Sequence, residues 1–137
     1  MHEAMTGGCL CGGVRYVATE VFDVVYCHCA TCRRRSGAPV SLNLVVPKAA
    51  FALVQGEPSR FRSSAVGERC FCGTCGTPLF FVEDDGPFVS VSHGTLDQAG
   101  RVLPKAHQWT GDGLSWFVLH DHLPRFADGR LSHPARR

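Results

Sequence analysis

Eight cysteines fall in three tight groups along 137 residues: Cys9 and Cys11, then Cys27, Cys29 and Cys32, then Cys70, Cys72 and Cys75. In a reducing compartment so dense a set points to metal ligation rather than disulfides. The opening stretch Met1–Gly8 has neither the charged start nor the apolar run of a secretory signal, so a cytoplasmic protein is expected. No apolar run approaches the roughly 20 residues that cross a bilayer. The longest, Val40–Val46 and Pro78–Val82, are strand-sized, so no membrane partner is expected. The length suits a single domain over residues 1–137, with a core at about 6–127 and a flexible tail over 128–137, frayed at His133–Arg137.

Between the cysteine groups the chain alternates or carries β-branched runs at Val14–Val17, Phe22–Cys27, Pro39–Val46, Phe51–Val54, Pro78–Val82 and Phe88–Ser92. Turn signals such as Glu83-Asp84-Asp85-Gly86 separate them, which predicts a mainly β domain. The best candidate for a helix is a short one over Ala30–Ser36, ended by Gly37 and Pro39. Phe80, Phe81, Phe88, Trp109, Trp116 and Phe117 read as core aromatics.

Cys9-Leu10-Cys11 is followed by Gly12-Gly13. Residues two apart on an extended segment point the same way, so both sulfurs can reach one ion, and the glycines let the backbone turn beside it. Cys72-Gly73-Thr74-Cys75-Gly76 is a CxxC, whose tight turn gathers two sulfurs. Together the four thiolates make the closed tetrahedral set of a structural zinc site, the alternative being four buried or disulfide-bonded cysteines.

Cys27-His28-Cys29-Ala30-Thr31-Cys32 fuses the two spacings into CxCxxC. Three sulfurs from six consecutive residues form a tripod, leaving the fourth corner of a second zinc for water or substrate, as in catalytic sites. A fourth protein ligand, His28 or Cys70, would close it instead, although His28 alternates away from its neighbours on an extended segment. Three ligands hold a metal less tightly than four, so the second zinc is expected to be the weaker. Arg33, Arg34 and Arg35 follow at once and can balance an anionic sulfur or pair with substrate carboxylates; as a bare basic run they would be a solvated face. His120-Asp121-His122 looks metal-like but is left unassigned, since alternation puts both histidines on one exposed face.

In this order, CxC, CxCxxC and CxxCG resemble the glutathione-dependent formaldehyde-activating enzyme family, also called the centromere-protein-V family. The likeness runs from Gly7-Gly8-Cys9-Leu10-Cys11-Gly12-Gly13 through Cys27–Arg33 and Ser36-Gly37-Ala38-Pro39 to Phe71–Leu79. It continues in Gly94-Thr95-Leu96-Asp97, Pro104-Lys105-Ala106-His107 and Leu123-Pro124-Arg125-Phe126. The resemblance implies a small complex β fold of packed antiparallel sheets stapled by zinc, with little helix. It implies a structural zinc on Cys9, Cys11, Cys72 and Cys75 and a second on Cys27, Cys29 and Cys32. It also implies a carbon–sulfur lyase related to S-(hydroxymethyl)glutathione synthase, which joins glutathione and formaldehyde, so that the partner is a small thiol such as glutathione. Cys70 departs from the pattern, a cysteine being unusual there. Arg33, Arg34, His107 and Trp109 are the candidate substrate-binding residues.

Two other function classes remain open on sequence grounds. A two-zinc structural module would bind a protein or nucleic acid through Arg33–Arg35, yet the basic residues form one short cluster without interleaved aromatics and the net charge is only +2, so nucleic acid is not expected. A methionine sulfoxide reductase of similar fold needs a redox cysteine outside the zinc sites, for which only Cys70 is left, with no resolving partner.

Overall fold

The fold, taken from a computed structural model, is described for residues 3–130. Three strands, β1 (Met5–Gly8), β2 (Arg15–Ala18) and β5 (Phe51–Gln55), form a small sheet in the order β1-β2-β5. Seven more form a larger one: β3 (Asp23–Cys27), β4 (Ser41–Pro47), β6 (Ser59–Ser64), β7 (Gly67–Phe71), β8 (Pro78–Glu83), β9 (Phe88–Ser92) and β10 (Ala106–Gln108). Their order is β10-β3-β4-β9-β8-β7-β6, antiparallel throughout except that β10 runs parallel to β3. One short α-helix, α1 (Ala30–Ser36), follows β3 among the described residues. The mainly β fold of packed sheets with little helix, as expected, is therefore present, in two sheets, and no helix of the described residues is long and apolar enough to cross a membrane.

Alternation divides each strand of the large sheet between two faces. Val24 of β3, Leu44 and Val46 of β4, Phe80 of β8 and Val89 and Val91 of β9 meet Tyr16 and Ala18 of the small sheet, and Val14 just before β2, in the main core. On the opposite face Val25, Val45 and Ala106 make a smaller cluster with Phe88 against it. Beside them Asn43 donates from Nδ2 to Ser41 Oγ at 2.9 Å, so this face carries buried polar groups. Phe80 and Phe81 are core as expected. Trp116 is not: it stands 72% exposed on the segment after β10.

The C-terminal end of the described chain packs back on the sheet region through two polar contacts. Trp109 N–H donates to the Asp128 carbonyl at 3.0 Å, and Arg130 Nε pairs with the buried Asp23 carboxylate at 3.1 Å. Of the tail expected to be flexible, residues 128–130 make these contacts, and its frayed part, His133–Arg137, lies outside the described residues.

Tyr16 shows how tightly the two sheets close. Its ring is wholly buried and its hydroxyl lies 2.7 Å from Thr95 Oγ1; burial pushes the phenol up to about 12. An unfolded tyrosine ionises near pH ~10, so between about pH 10 and 12 the native state keeps a proton that the unfolded state releases. Stability carried by this group is complete below pH ~10 and falls, by about 2–3 kcal/mol, as the pH rises through that window. Urea unfolding at about pH 9 and about pH 12 should show the wild type losing that much more than Tyr16→Phe; superimposable pH profiles would refute it.

Candidate metal centres and functional site

Two groups of side chains bring sulfur atoms within 4.8 Å of one another: Cys9, Cys11, Cys72 and Cys75, and separately Cys27, Cys29 and Cys32. In the first, Cys9 and Cys11 come from the turn joining β1 to β2, and Cys72 and Cys75 from the turn joining β7 to β8. Each turn is built for the purpose. Gly12 at φ 81° lets its amide bond back to the Cys9 carbonyl at 3.1 Å while Val14 N–H donates to Cys9 Sγ at 3.3 Å. Gly76, also at φ 81°, closes onto the Cys72 carbonyl at 2.8 Å as Cys75 N–H reaches Cys72 Sγ at 3.5 Å.

Observed separations are 3.6 Å for Cys9–Cys11 and 3.8 Å for Cys11–Cys72. A tetrahedron with Zn–S bonds of about 2.3 Å has edges of about 3.8 Å, so this donor set fits zinc in both chemistry and spacing. Thr77 bridges the two turns, accepting from the Leu10 amide at 3.1 Å and meeting Cys75 Sγ at 3.2 Å. That hydroxyl and the Thr77 amide hold the Cys75 thiol down at about 5. Cys11 goes the other way: the Gly13 amide favours its thiolate, but the Cys9, Cys72 and Cys75 sulfurs around it push it up to about 11. Four crowded sulfurs cannot all ionise unaided, and a divalent cation removes that conflict.

The second group is local. Cys27 ends β3, Cys29 caps α1 by accepting the Cys32 amide at 3.4 Å, and Cys32 is buried in the first turn. Cys27 donates to Cys29 across 3.3 Å, and all three are buried with Trp109 packed on them. Gly37 at φ 73° ends the helix, so α1 fills the interval anticipated for it. The donors fit three corners of a zinc tetrahedron.

His28 lies between two of these cysteines but turns away from them. Its Nε2 sits 2.9 Å from His107 Nδ1, and His107 Nε2 lies 2.9 Å from Asp121 Oδ2. A carboxylate only accepts, which fixes the proton on His107 Nε2 and leaves Nδ1 to accept from His28. His107 carries no exposed surface and Tyr26 stacks on it at 4.7 Å. Asp121 is held below the usual carboxylate range, chiefly by its bond to His107; burial and the neighbouring His107 keep His28 below the ordinary imidazole value. Sequence reasoning missed Asp121. Within His120-Asp121-His122 the two histidines are exposed and the acid reaches the interior, the reverse of the feature that drew attention.

The three arginines spread around α1. Arg33 and Arg34 border a cavity of about 390 Å³ with Pro39 and Leu114, while Arg34 and Arg35 border another of about 540 Å³ against β6 and β7. Arg35 Nη1 lies 3.4 Å from Ser92 Oγ. Among the predicted substrate contacts, Arg33 and Arg34 thus line cavities, Trp109 covers the three-sulfur group, and His107 is sealed between His28 and Asp121. Cys70 belongs to neither sulfur group. It sits in the main core, its sulfur 3.4 Å from Arg60 Nη1, and burial raises its thiol above the ordinary value.

The signature of the glutathione-dependent formaldehyde-activating enzymes matches residues 4–112. A protein of the fission yeast Schizosaccharomyces pombe, named as an uncharacterized lyase, is 32% identical over 81 residues, 58% of this chain. The match spans 58% of that relative's length, less than two thirds of it. A crystal structure of a Rhodobacter sphaeroides protein superposes with a TM-score of 0.59 over 73% of this chain and 92% of the other. At 24% identity that likeness concerns the fold alone.

Proposed function

The chain belongs to the glutathione-dependent formaldehyde-activating enzyme family, and from that membership we propose that it is a zinc-dependent carbon–sulfur lyase acting on a thiol or a thiol adduct. Its reaction resembles the reversible joining of glutathione and formaldehyde. The observation that carries the proposal is the three-sulfur group: Cys27, Cys29 and Cys32 stand together, His28 is bonded elsewhere, and Cys70 lies in the core.

In this proposal Cys9, Cys11, Cys72 and Cys75 hold a structural zinc, and Cys27, Cys29 and Cys32 hold a second, more weakly bound one. When bound, that second ion supplies a positive centre that lowers the pKa of a substrate thiol and polarises an aldehyde carbonyl. The chain's own groups do the rest. Trp109 packs over the sulfurs and limits water. The Asp121–His107–His28 chain anchors the peptide between Cys27 and Cys29, keeping both sulfurs on one side. Arg34 stands exposed at the helix, placed to meet a substrate carboxylate.

Elemental analysis and calorimetry on wild type and Cys29→Ser test this, with two thiols titrated, glutathione and 2-mercaptobenzoate. The wild type should carry about two zinc ions and the folded variant about one, and thiol binding should vanish with the lost metal. A chelator should strip the same ion first from the wild type. If both ions leave together, or neither thiol binds the two-zinc protein, the second site is structural and the enzyme assignment fails.

A further inference from the structure

Cys27 has a polar neighbour in the large sheet that neither sulfur group uses. Its partner across the β3–β4 ladder is Ser41, and the next pair on the same face is Val25 with Asn43. Directly opposed residues of an antiparallel pair send their side chains to one face with Cβ atoms about 5 Å apart, so the Ser41 hydroxyl stands beside the Cys27 side chain. The 2.9 Å bond from Asn43 Nδ2 to Ser41 Oγ joins the two polar residues on that face. α1 lies over it: Ser92, opposite Asn43 on β9, accepts from Arg35 Nη1 of the helix at 3.4 Å.

Both residues are buried, Asn43 to within 1% of its surface. Each keeps one hydrogen-bonding capacity in reserve. Ser41 Oγ accepts from Asn43, so its own O–H is left to give, and no acceptor takes it among the described residues. Asn43 Oδ1 is sealed from solvent and has no partner among the described residues either. Beside the apolar Val25 and Val45 such groups are costly unmet and strong when met. A donor and an acceptor next to each other complement a hydroxyl, which accepts one hydrogen bond and gives another. An ammonium lacks the acceptor, and an ionised carboxylate lacks the donor.

We propose that Ser41 and Asn43 receive the hydroxyl of a thiol–aldehyde adduct, Ser41 O–H donating to its oxygen and Asn43 Oδ1 accepting its hydrogen. The assignment rests on the function proposed above, in which Cys27 belongs to the centre that binds the thiol. In the direction of addition the thiol releases its proton to water, the sulfur pair forms the S–C bond, the carbonyl π pair moves onto oxygen, and that oxygen takes a proton from water. Nothing is oxidised or reduced. Charge gathering on the oxygen meets the Ser41 O–H, a donor already in place. Asn43 is also a positioning residue, because its Nδ2 occupies a Ser41 lone pair and leaves the hydroxyl hydrogen for the substrate.

Two thiols of similar size separate this contact from packing and from metal loading. Thioacetate carries an oxygen one carbon from sulfur, as the adduct does, and 2-propanethiol has a methyl group in its place. Both are titrated by calorimetry into zinc-loaded wild type, Ser41→Ala, Ser41→Thr, Ser41→Val and Asn43→Leu, with zinc content and melting temperature measured on each. Thioacetate should bind about tenfold more weakly to Ser41→Ala and Ser41→Val, about fivefold more weakly to Asn43→Leu, and within about twofold of wild type to Ser41→Thr. 2-Propanethiol should stay within about twofold throughout. Threonine and valine have the same shape and differ in the hydroxyl, so their comparison decides the matter even where Ser41→Ala alters packing. If Ser41→Thr and Ser41→Val behave alike, or both thiols weaken equally, the pair holds at most a water molecule; the assignment is overturned and the lyase function stands. Binding of glutathione without either small thiol overturns the assignment alone. If the two-zinc wild type binds none of the three, the lyase function fails and the assignment falls with it.

Discussion

Cys72→Ser is expected to unfold the protein near physiological temperature, whereas Cys29→Ser leaves it folded. Cys72 is buried and stands 61 positions from Cys11 in sequence while lying 3.8 Å from it in space. Its group joins the β1–β2 turn of the small sheet to the β7–β8 turn of the large one, so a metal there clamps the two layers whose facing sides form the main core. Closing so long a loop restricts the unfolded chain, and zinc binding to a four-thiolate site is itself folding free energy. Losing one ligand should cost on the order of 5 kcal/mol, comparable with the whole stability of a domain. Cys27, Cys29 and Cys32 span only six consecutive residues and close no long loop. Thermal unfolding should place Cys72→Ser about 15–20 °C below wild type or leave it without a transition, with Cys29→Ser within a few degrees. Equal melting temperatures for the two variants would show that the four-sulfur group does not hold the sheets together.

Local spacing made both sulfur groups legible in the sequence, because CxC and CxxC each need only one turn to converge. That these two motifs share a group also followed from counting four donors to a tetrahedron. No run anticipated β1, β6, β7 or β10, and β6 and β10 show how pairing decided elsewhere hides a strand. Ser59–Ser64 alternates poorly because β6 is an exposed edge, paired on one side only to β7. Ala106–Gln108 shows no apolar pattern because His107 and Gln108 are buried polar groups, satisfied by partners distant in sequence such as Asp121 and the Arg130 amide. Cys70 was ambiguous for a related reason: counting by twos puts it with Cys72, but a register shift between Cys70 and Phe71 breaks the ladder, and the sulfur stays in the core beside Arg60. Trp116 was misplaced because aromatic content alone says nothing about which segment lies over the sheet. No periodicity could reveal the cavity between α1 and β6, since its walls meet only after a strand invisible to pattern has paired.

Gly56→Ala should destabilise far more than Gly12→Ala, although both glycines lie in the left-handed region, at φ 75° and 81°. Around Gly12 an added Cβ meets nothing within 4 Å, so only the backbone preference is lost, about 1 kcal/mol. At Gly56 the same atom would lie 2.1 Å from the Gly13 carbonyl oxygen and 3.0 Å from its carbon. Backbone cannot rotate aside as a side chain can, so one of the two turns must move, at a cost of about 3 kcal/mol or more. Gly13 belongs to the turn in which Val14 N–H bonds the Cys9 sulfur, and Gln55 Nε2 braces the same turn through the Gly12 carbonyl at 3.1 Å. Displacing it opens the four-sulfur group from outside, without touching a ligand. Urea midpoints should therefore separate the two variants by about 2 kcal/mol. In zinc-loaded protein, with the four-sulfur group holding the ion as proposed, competition with a zinc-binding dye should show that ion loosened in Gly56→Ala and unaffected in Gly12→Ala. Should Gly56→Ala lose stability but keep its zinc as firmly as wild type, the β5–β6 turn braces the sheet and not the metal.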